Sequence, residues 1–178
     1  EGPVTDFTAK DLNISLGEFT EFSGDVSMKG LPDFYSTYAR LDIIKLNTTP
    51  EDISEFNLPL EDPNIVLPPQ LIQLGFTSVT GSYEGFPDDF KTDLDIRSDA
   101  GNLKMKGSLS GRNSEQKLYF TGDILGSSIL MDGLFDSPEL GTVDLELEFE
   151  GSGNTFDNLD LAVNGWIQGL EYKAYRYE

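Results

Sequence analysis

Residues 77–124 constrain this chain most strongly, because apolar and polar residues alternate there through successive segments separated by turns. In three of the segments every second residue is apolar, small or β-branched: Phe90, Thr92, Leu94, Ile96; Leu103, Met105, Gly107, Leu109; Leu118, Phe120, Gly122, Ile124. A period of two places alternate side chains on opposite faces of a strand. The pattern therefore predicts consecutive antiparallel hairpins with one apolar face and one charged face.

The break between the first two of these segments has the composition of a tight turn. Residues 98–102 read Ser-Asp-Ala-Gly-Asn, and Gly101 can adopt positive φ. This turn predicts a register in which Asp99 pairs with Asn102. In that register the two apolar sets share one side of the sheet, Gly107 faces Leu94, and Asp95 faces Lys106 as a favourable ion pair.

The same alternation predicts strands on both sides of this region. They fall at residues 4–16, 22–28, 35–46, 143–150, 159–167 and 170–177. The first changes phase near Lys10, which indicates a β-bulge, and the third changes phase at Ile44. Residues 127–130 are expected to form a single helical turn. The fold predicted for the chain is therefore mainly β, with about ten strands and one or two short helices.

An insertion at residues 49–75 interrupts the strands. Thr49 is suited to cap a helix that begins with Pro50, since acidic residues follow in its first turn. Residues 59–69 are rich in proline and predict an extended connector, and one more helical turn near Ile72 would end at Gly75. Residues 1–178 are otherwise expected to form a single unit.

Composition excludes several classes of function. The chain has no cysteine and no histidine, so it lacks a disulfide, the commonest general base and the commonest transition-metal ligand. Its 32 acidic and 12 basic residues give a net charge of −20, which opposes binding to nucleic acid and to anionic membrane surfaces. No apolar run is long enough to span a bilayer.

The candidate chemical sites are weak, and we expect no catalytic residue, metal or cofactor. Four carboxylates on one strand face (Asp144, Glu146, Glu148, Glu150) are more typical of a solvated face than of a calcium site, which needs a loop that converges oxygens. Asp88 with Glu84 could act on a glycoside, but aspartate is common in turns. Trp166 and three tyrosines (Tyr172, Tyr175, Tyr177) could line a sugar-binding surface, although aromatic residues also favour strands.

The apolar face is the remaining functional feature. Its predicted members share the apolar phase of the strands: Val26, Met28, Leu41, Ile43, Leu94, Ile96, Met105, Leu109, Leu118, Phe120, Val143, Leu145, Leu147, Leu161, Val163. So large an apolar surface must be covered, in a closed barrel, a two-sheet sandwich or a sheet folded into a trough. Glycines at apolar-phase positions, such as Gly107 and Gly122, favour a strongly curved antiparallel sheet.

Four stretches carry a resemblance to a known family. They are residues 22–33 (FSGDVSMKGLPD), 44–53 (IKLNTTPEDI), 74–86 (LGFTSVTGSYEGF) and 170–177 (LEYKAYRY). Together they resemble the TamB family of the AsmA-like superfamily, the translocation and assembly module subunits, in the form found in Bacteroidota. The resemblance covers nearly the whole chain, but its motifs are turns, glycines and strand phase, and it points to no active residue.

The resemblance implies a place and a role. Proteins of the TamB family are anchored in the inner membrane and cross the periplasm as a long β-sheet curled into an apolar groove, the β-taco. They partner an outer-membrane barrel of the BamA type. Their role is outer-membrane biogenesis, through assembly of barrel proteins and movement of phospholipid. This chain would be an internal segment, with the inner-membrane anchor outside it.

These observations give one leading hypothesis and two alternatives. The leading hypothesis is a non-enzymatic periplasmic bridge segment whose groove holds phospholipid acyl chains by apolar contact. A second is a chaperone-like surface that binds nascent barrel strands through its sheet edges. A third is a carbohydrate-binding or adhesin-like β-sandwich.

Overall fold

Nine strands form one antiparallel sheet in which every strand pairs with its neighbours in sequence. The computed structural model describes residues 5–55, 72–111, 117–134, 137–153, 158–173 and 175–177. The strands are β1 (Asp6–Leu16), β2 (Thr20–Lys29), β3 (Tyr38–Thr48), β4 (Thr77–Phe86), β5 (Asp89–Ser98), β6 (Gly101–Ser110), β7 (Tyr119–Leu130), β8 (Thr142–Ser152) and β9 (Asp160–Gln168). In this part of the chain β1 and β9 do not pair, so the sheet is open. The predicted single antiparallel sheet is confirmed.

The register of β5 and β6 differs from the predicted one by two residues. The turn contains Asp99 and Ala100, and Ser98 pairs with Gly101, whose φ is +122°. Asp95 consequently faces Lys104 rather than Lys106. The shift is an even number, so each side chain keeps its predicted face.

Three strands contain bulges. The register of β1 shifts between Ala9 and Leu12, which confirms the predicted irregularity near Lys10. The extra residue of β3 is Ile44, which is exposed, whereas Leu46 returns to the apolar side. In β7 a shift between Gly126 and Ile129 takes the place of the predicted helical turn at residues 127–130, which is wrong.

Two predicted strand boundaries are also wrong. The third strand begins at Tyr38 rather than at residue 35, because Asp33 caps a short 3₁₀ turn (Phe34–Ser36). The last predicted strand is a hairpin of two short strands, β10 (Leu170–Tyr172) and β11 (Tyr175–Tyr177). A bridge between Leu140 and Tyr172 joins this hairpin to the chain just before β8.

Two short helices lie between strands. In α1 (Pro50–Glu55) the Asp52 amide donates a hydrogen bond to Thr49 Oγ1 (3.3 Å), which confirms the predicted cap. The second, α2 (Met131–Leu134), follows β7 directly. The predicted proline-rich connector at residues 59–69 lies outside the described residues. No helix among the described residues has the length and apolar character needed to cross a bilayer.

In the described part of the chain the sheet has almost no enclosed core. Among the described hydrophobic residues only Val26, Ala100 and Val143 are buried, at 7%, 5% and 2% exposure. A domain of this length ordinarily buries a substantial set of large side chains. Here most apolar side chains are half-buried, and they gain that burial from neighbours on the same sheet.

Candidate functional site

The strand register collects the apolar side chains into rows that cross the whole sheet. In one row each residue is the cross-strand partner of the next: Phe7, Met28, Ala39, Gly85, Phe90, Leu109, Phe120, Gly151, Leu161. Another row runs Gly24, Ile43, Gly81, Leu94, Met105, Ile124, Leu147, Gly165. Directly opposed residues share one side of a sheet. We call this side the apolar face.

All the residues predicted to line a groove lie on the apolar face by register and strand phase. Val26 and Val143 are buried, Leu161 and Val163 are exposed, and the others are half-buried. Leu118 lies just before β7, where its carbonyl accepts a hydrogen bond from the Gly153 amide (2.9 Å). The proposed role of these residues in holding lipid stays a prediction.

The predicted set omitted residues that the structure places on the same face. They occupy the apolar phase of strands already recognised: Phe22, Leu46, Val79, Tyr83, Phe90, Leu103, Ile124, Phe149, Ile167. Strict extension of the period-two pattern along each strand would have found most of them. The bulge in β3 hides Leu46, since the extra residue Ile44 reverses the phase.

Two glycines side by side open a gap in the apolar face. Gly107 lies between Thr92 and Gly122, not opposite Leu94 as predicted. A methyl group on Gly122 would lie 2.9 Å from the tip of the Phe149 ring, so glycine leaves the space that this ring occupies. The Phe149 ring lies 6.3 Å from the ring of Phe120, measured between centroids.

A depression of about 410 Å³ lies beside this aromatic pair. Every residue that lines it is apolar: Phe120, Ile124, Leu147, Phe149, Leu159, Leu161, Val163. Six of them belong to β7, β8 and β9 and occupy the apolar phase of these strands in the sequence. The depression has the chemistry of a hydrocarbon site and offers no side-chain polar group to orient a ligand.

The polar groups on the apolar face are satisfied within the sheet. The Tyr83 hydroxyl donates a hydrogen bond to the Phe86 carbonyl (2.9 Å), and the Thr92 hydroxyl donates one to the Ser82 carbonyl (3.0 Å). Burial raises the pKa of the Tyr83 phenol, and the negative charge of Asp88 raises this pKa further. Tyr83 and Thr92 therefore act as parts of an apolar surface, because their polar atoms already have partners.

The opposite side of the sheet, which we call the charged face, carries exposed ion pairs. Lys104 lies 3.5 Å from Asp95, and Lys106 lies 3.8 Å from Asp93. Exposed pairs of this kind contribute little to stability. In the part of the chain that the structure describes, no cluster of three or more carboxylates is placed to hold a metal ion.

The aromatic residues of the sugar-binding alternative do not line one site. Glu84 accepts a hydrogen bond from the Tyr38 hydroxyl (2.5 Å), while Asp88 lies in the β4–β5 turn near Tyr83. Trp166 lines a depression of about 540 Å³ on the charged face, together with charged residues of β5, β6 and β8. The three tyrosines lie on the β10–β11 hairpin and do not line it.

Comparison of the chain with protein-family models, with curated proteins and with solved structures found no match in any of the three.

Proposed function

We propose that the apolar face binds the acyl chains of phospholipid, and that the chain is a non-enzymatic segment of a TamB-like periplasmic bridge. One observation carries this proposal. Rows of apolar side chains and glycines extend across the nine strands, yet only three hydrophobic residues are buried among those described. A surface of this size and composition marks a binding site when its own fold leaves it uncovered.

The chemistry of the face suits hydrocarbon better than a polar ligand. An acyl chain gains about 0.8 kcal/mol for each methylene that it buries, and it needs no fixed hydrogen-bond partner. The hydroxyls of Tyr83 and Thr92 are already bonded to carbonyl groups of the sheet. An orienting polar group would be needed for a sugar or a nucleotide.

A groove would let the face surround an acyl chain. In the proposal the sheet curls about its strand direction, with the apolar face on the inner side. Gly107 and Gly122, at neighbouring positions of β6 and β7, support this because two missing side chains let adjacent strands bend towards each other. From the resemblance to the TamB family, the proposal includes an inner-membrane anchor in the full-length protein and binding of the full-length protein to a BamA-type outer-membrane barrel.

The proposal is tested by native mass spectrometry of the protein purified without detergent from cells that make diacyl phospholipids. We expect adducts whose masses match phospholipids and whose occupancy falls in a Leu147→Asn variant. Glu148→Asn is the matched control, since it changes the adjacent residue on the charged face. Lipid-free protein, or equal occupancy in the two variants, would contradict the proposal.

A further inference from the structure

The two edges of the sheet are built differently. The first edge strand, β1, carries Asp6, Lys10 and Asp11 and contains a bulge, both of which discourage pairing with another strand. Its bulged residue Asp11 donates its amide to Asp25 Oδ1 (2.9 Å). This edge is therefore protected.

The other edge, at β9, is unpaired among the described strands. All the residues of β9 are exposed, the register of its pairing with β8 has no shift, and Asp160 is its only charged residue. Val163 and Trp166 are 50% and 69% exposed. Among the described strands none pairs with the outer edge of β9, whereas β11 pairs with the neighbouring strand β10. A long, regular edge with few charges is a template for a further strand.

Charge is strongly segregated towards this edge. From Leu118 to Tyr172 every charged residue is acidic. Glu146, Glu148 and Glu150 lie on the charged face of β8, directly behind β9, and form no ion pair with any described residue. Asp144, on the same side of β8, is paired with Arg176 at 3.2 Å, so the carboxylates beside β9 that lack a cation among the described residues are those of the three glutamates.

We propose that the outer edge of β9 is a docking site for an extended polypeptide strand in which apolar and basic residues alternate. The strand would add to the sheet by backbone hydrogen bonds, with its apolar side chains continuing the rows that end at Leu161 and Val163. Its basic side chains would then lie on the charged face.

The dimensions allow the basic side chains to reach β8. The carboxylate-bearing strand is two strand spacings, about 10 Å, from a strand added to β9. Ala162 and Asn164 separate Glu150 and Glu148 from the edge, and both side chains are short enough for an extended lysine or arginine to pass over them. A cation opposite Trp166 would also lie against its exposed indole.

The site favours a basic partner over a second copy of this chain. Two copies would each bring a net charge of −20 to the contact. A strand with several cations is drawn to the same surface by Coulomb attraction, which also raises its association rate. Dimerisation through β9 is therefore an outcome that would contradict the proposal.

The test uses a fluorescent nine-residue peptide that alternates valine and lysine, and a control peptide that alternates valine and glutamate. We expect the lysine peptide to bind in an anisotropy titration and the glutamate peptide to bind at least about tenfold more weakly. Amide hydrogen exchange should show new protection in β9 and none in β1. Equal binding of the two peptides, or protection of β1, would overturn the proposal.

Two pairs of variants distinguish the contribution of the β9 edge to peptide binding from that of the β8 carboxylates. The double variant Glu148→Gln/Glu150→Gln should weaken the lysine peptide about tenfold at low salt, while Glu21→Gln/Asp42→Gln on the distant strands should not. Val163→Lys should abolish binding and Phe7→Lys on the protected edge should leave it unchanged. Unaltered binding of the lysine peptide by Glu148→Gln/Glu150→Gln or by Val163→Lys would overturn the proposal. It would also be overturned if, without peptide, β9 were protected from hydrogen exchange and this protection fell on dilution, since that would show dimerisation through β9.

Discussion

At the scale of single residues, the bulges in β1 and β7 are stabilised by the same kind of hydrogen bond. Asp11 and Ser128 have φ of +51° and +53°, a conformation that costs energy for a side chain other than glycine. Each donates its amide to an aspartate of the neighbouring strand, Asp25 Oδ1 at 2.9 Å and Asp144 Oδ1 at 2.8 Å. The aspartate gives the displaced amide a charged acceptor, which offsets part of the cost of the bulge.

Removing one of these acceptors should destabilise the sheet. We expect Asp25→Ala to lower the free energy of unfolding by about 1.5 kcal/mol, the lower end of the range for a hydrogen bond to a charged group, because the site is exposed. Asp42→Ala is the control, because Asp42 is the cross-strand partner of Asp25 but its carboxylate accepts no backbone amide among the described residues and forms an exposed ion pair with Arg40 at 3.7 Å. Urea denaturation of both variants measures the difference, and equal losses would contradict the role given to Asp25.

A third aspartate connects α1 to the β1–β2 turn and gives a pH dependence. Asp52 accepts hydrogen bonds from the Phe19 amide (2.8 Å), the Thr20 hydroxyl (2.8 Å) and the Glu18 amide (3.2 Å). The Phe19 amide, followed by the Thr20 hydroxyl, holds the pKa of the Asp52 carboxyl below its ordinary value. A carboxyl whose pKa is lowered by folding stabilises the folded state above its unfolded pKa.

The contribution of Asp52 should therefore disappear in acid. It is fully present above the ordinary carboxyl pKa of about 3.9 and is lost as pH falls through the lowered value. We expect Asp52→Asn to be less stable than the wild type at neutral pH, and the two to converge in acid. Denaturation midpoints of both proteins across this pH range measure the difference in stability. A difference that grows towards low pH would contradict the lowered pKa of Asp52.

At the scale of the elements, the effect of a substitution on stability depends on which side of the sheet the residue lies. Leu145 and Glu146 are adjacent in β8 and lie on opposite sides of the sheet. Leu145→Asp places a charge among apolar neighbours and should destabilise by several kcal/mol, about the cost of a charge without a partner. Glu146→Lys should change stability by no more than about 0.5 kcal/mol, as is usual for an exposed site.

Thermal unfolding followed by circular dichroism compares the two variants. A large loss in Leu145→Asp with a nearly unchanged Glu146→Lys would support the assignment of the apolar face. Similar losses in both would mean that the strand is buried on both sides, contrary to the register of the sheet.

Strand phase could be predicted from the sequence, but irregularities of register could not. Alternation alone identifies which residues of β5, β6 and β8 share a face. The prediction places the two-residue turn at Ala100 and Gly101, one residue after its position at Asp99 and Ala100, and this changes the register by two residues. Several positions of the turn fit the same composition. The β7 bulge depends on Asp144, which is far from Ser128 in sequence, so no local pattern could have indicated it.

At the scale of the whole molecule, the sheet separates hydrocarbon from charge across its two sides. The face of a sheet on which a residue lies follows from period two, so the apolar face was accessible to prediction. The extent to which that face is covered depends on what packs over it. The alternation of apolar and polar residues along the strands carries no information about such packing. The glycine gap beside Phe149 likewise requires the register of three strands at once.

The central claim is that acyl chains bind one side of this sheet, and site-specific photocrosslinking tests it most directly. A photoreactive phenylalanine would replace Leu94 or Leu147 on the apolar face, and Asp95 or Glu148 on the charged face, with adducts identified by mass spectrometry after expression in cells. We expect phospholipid adducts at Leu94 and Leu147 and none at Asp95 and Glu148. Adducts of equal yield on both faces, or none on the apolar face, would contradict the account.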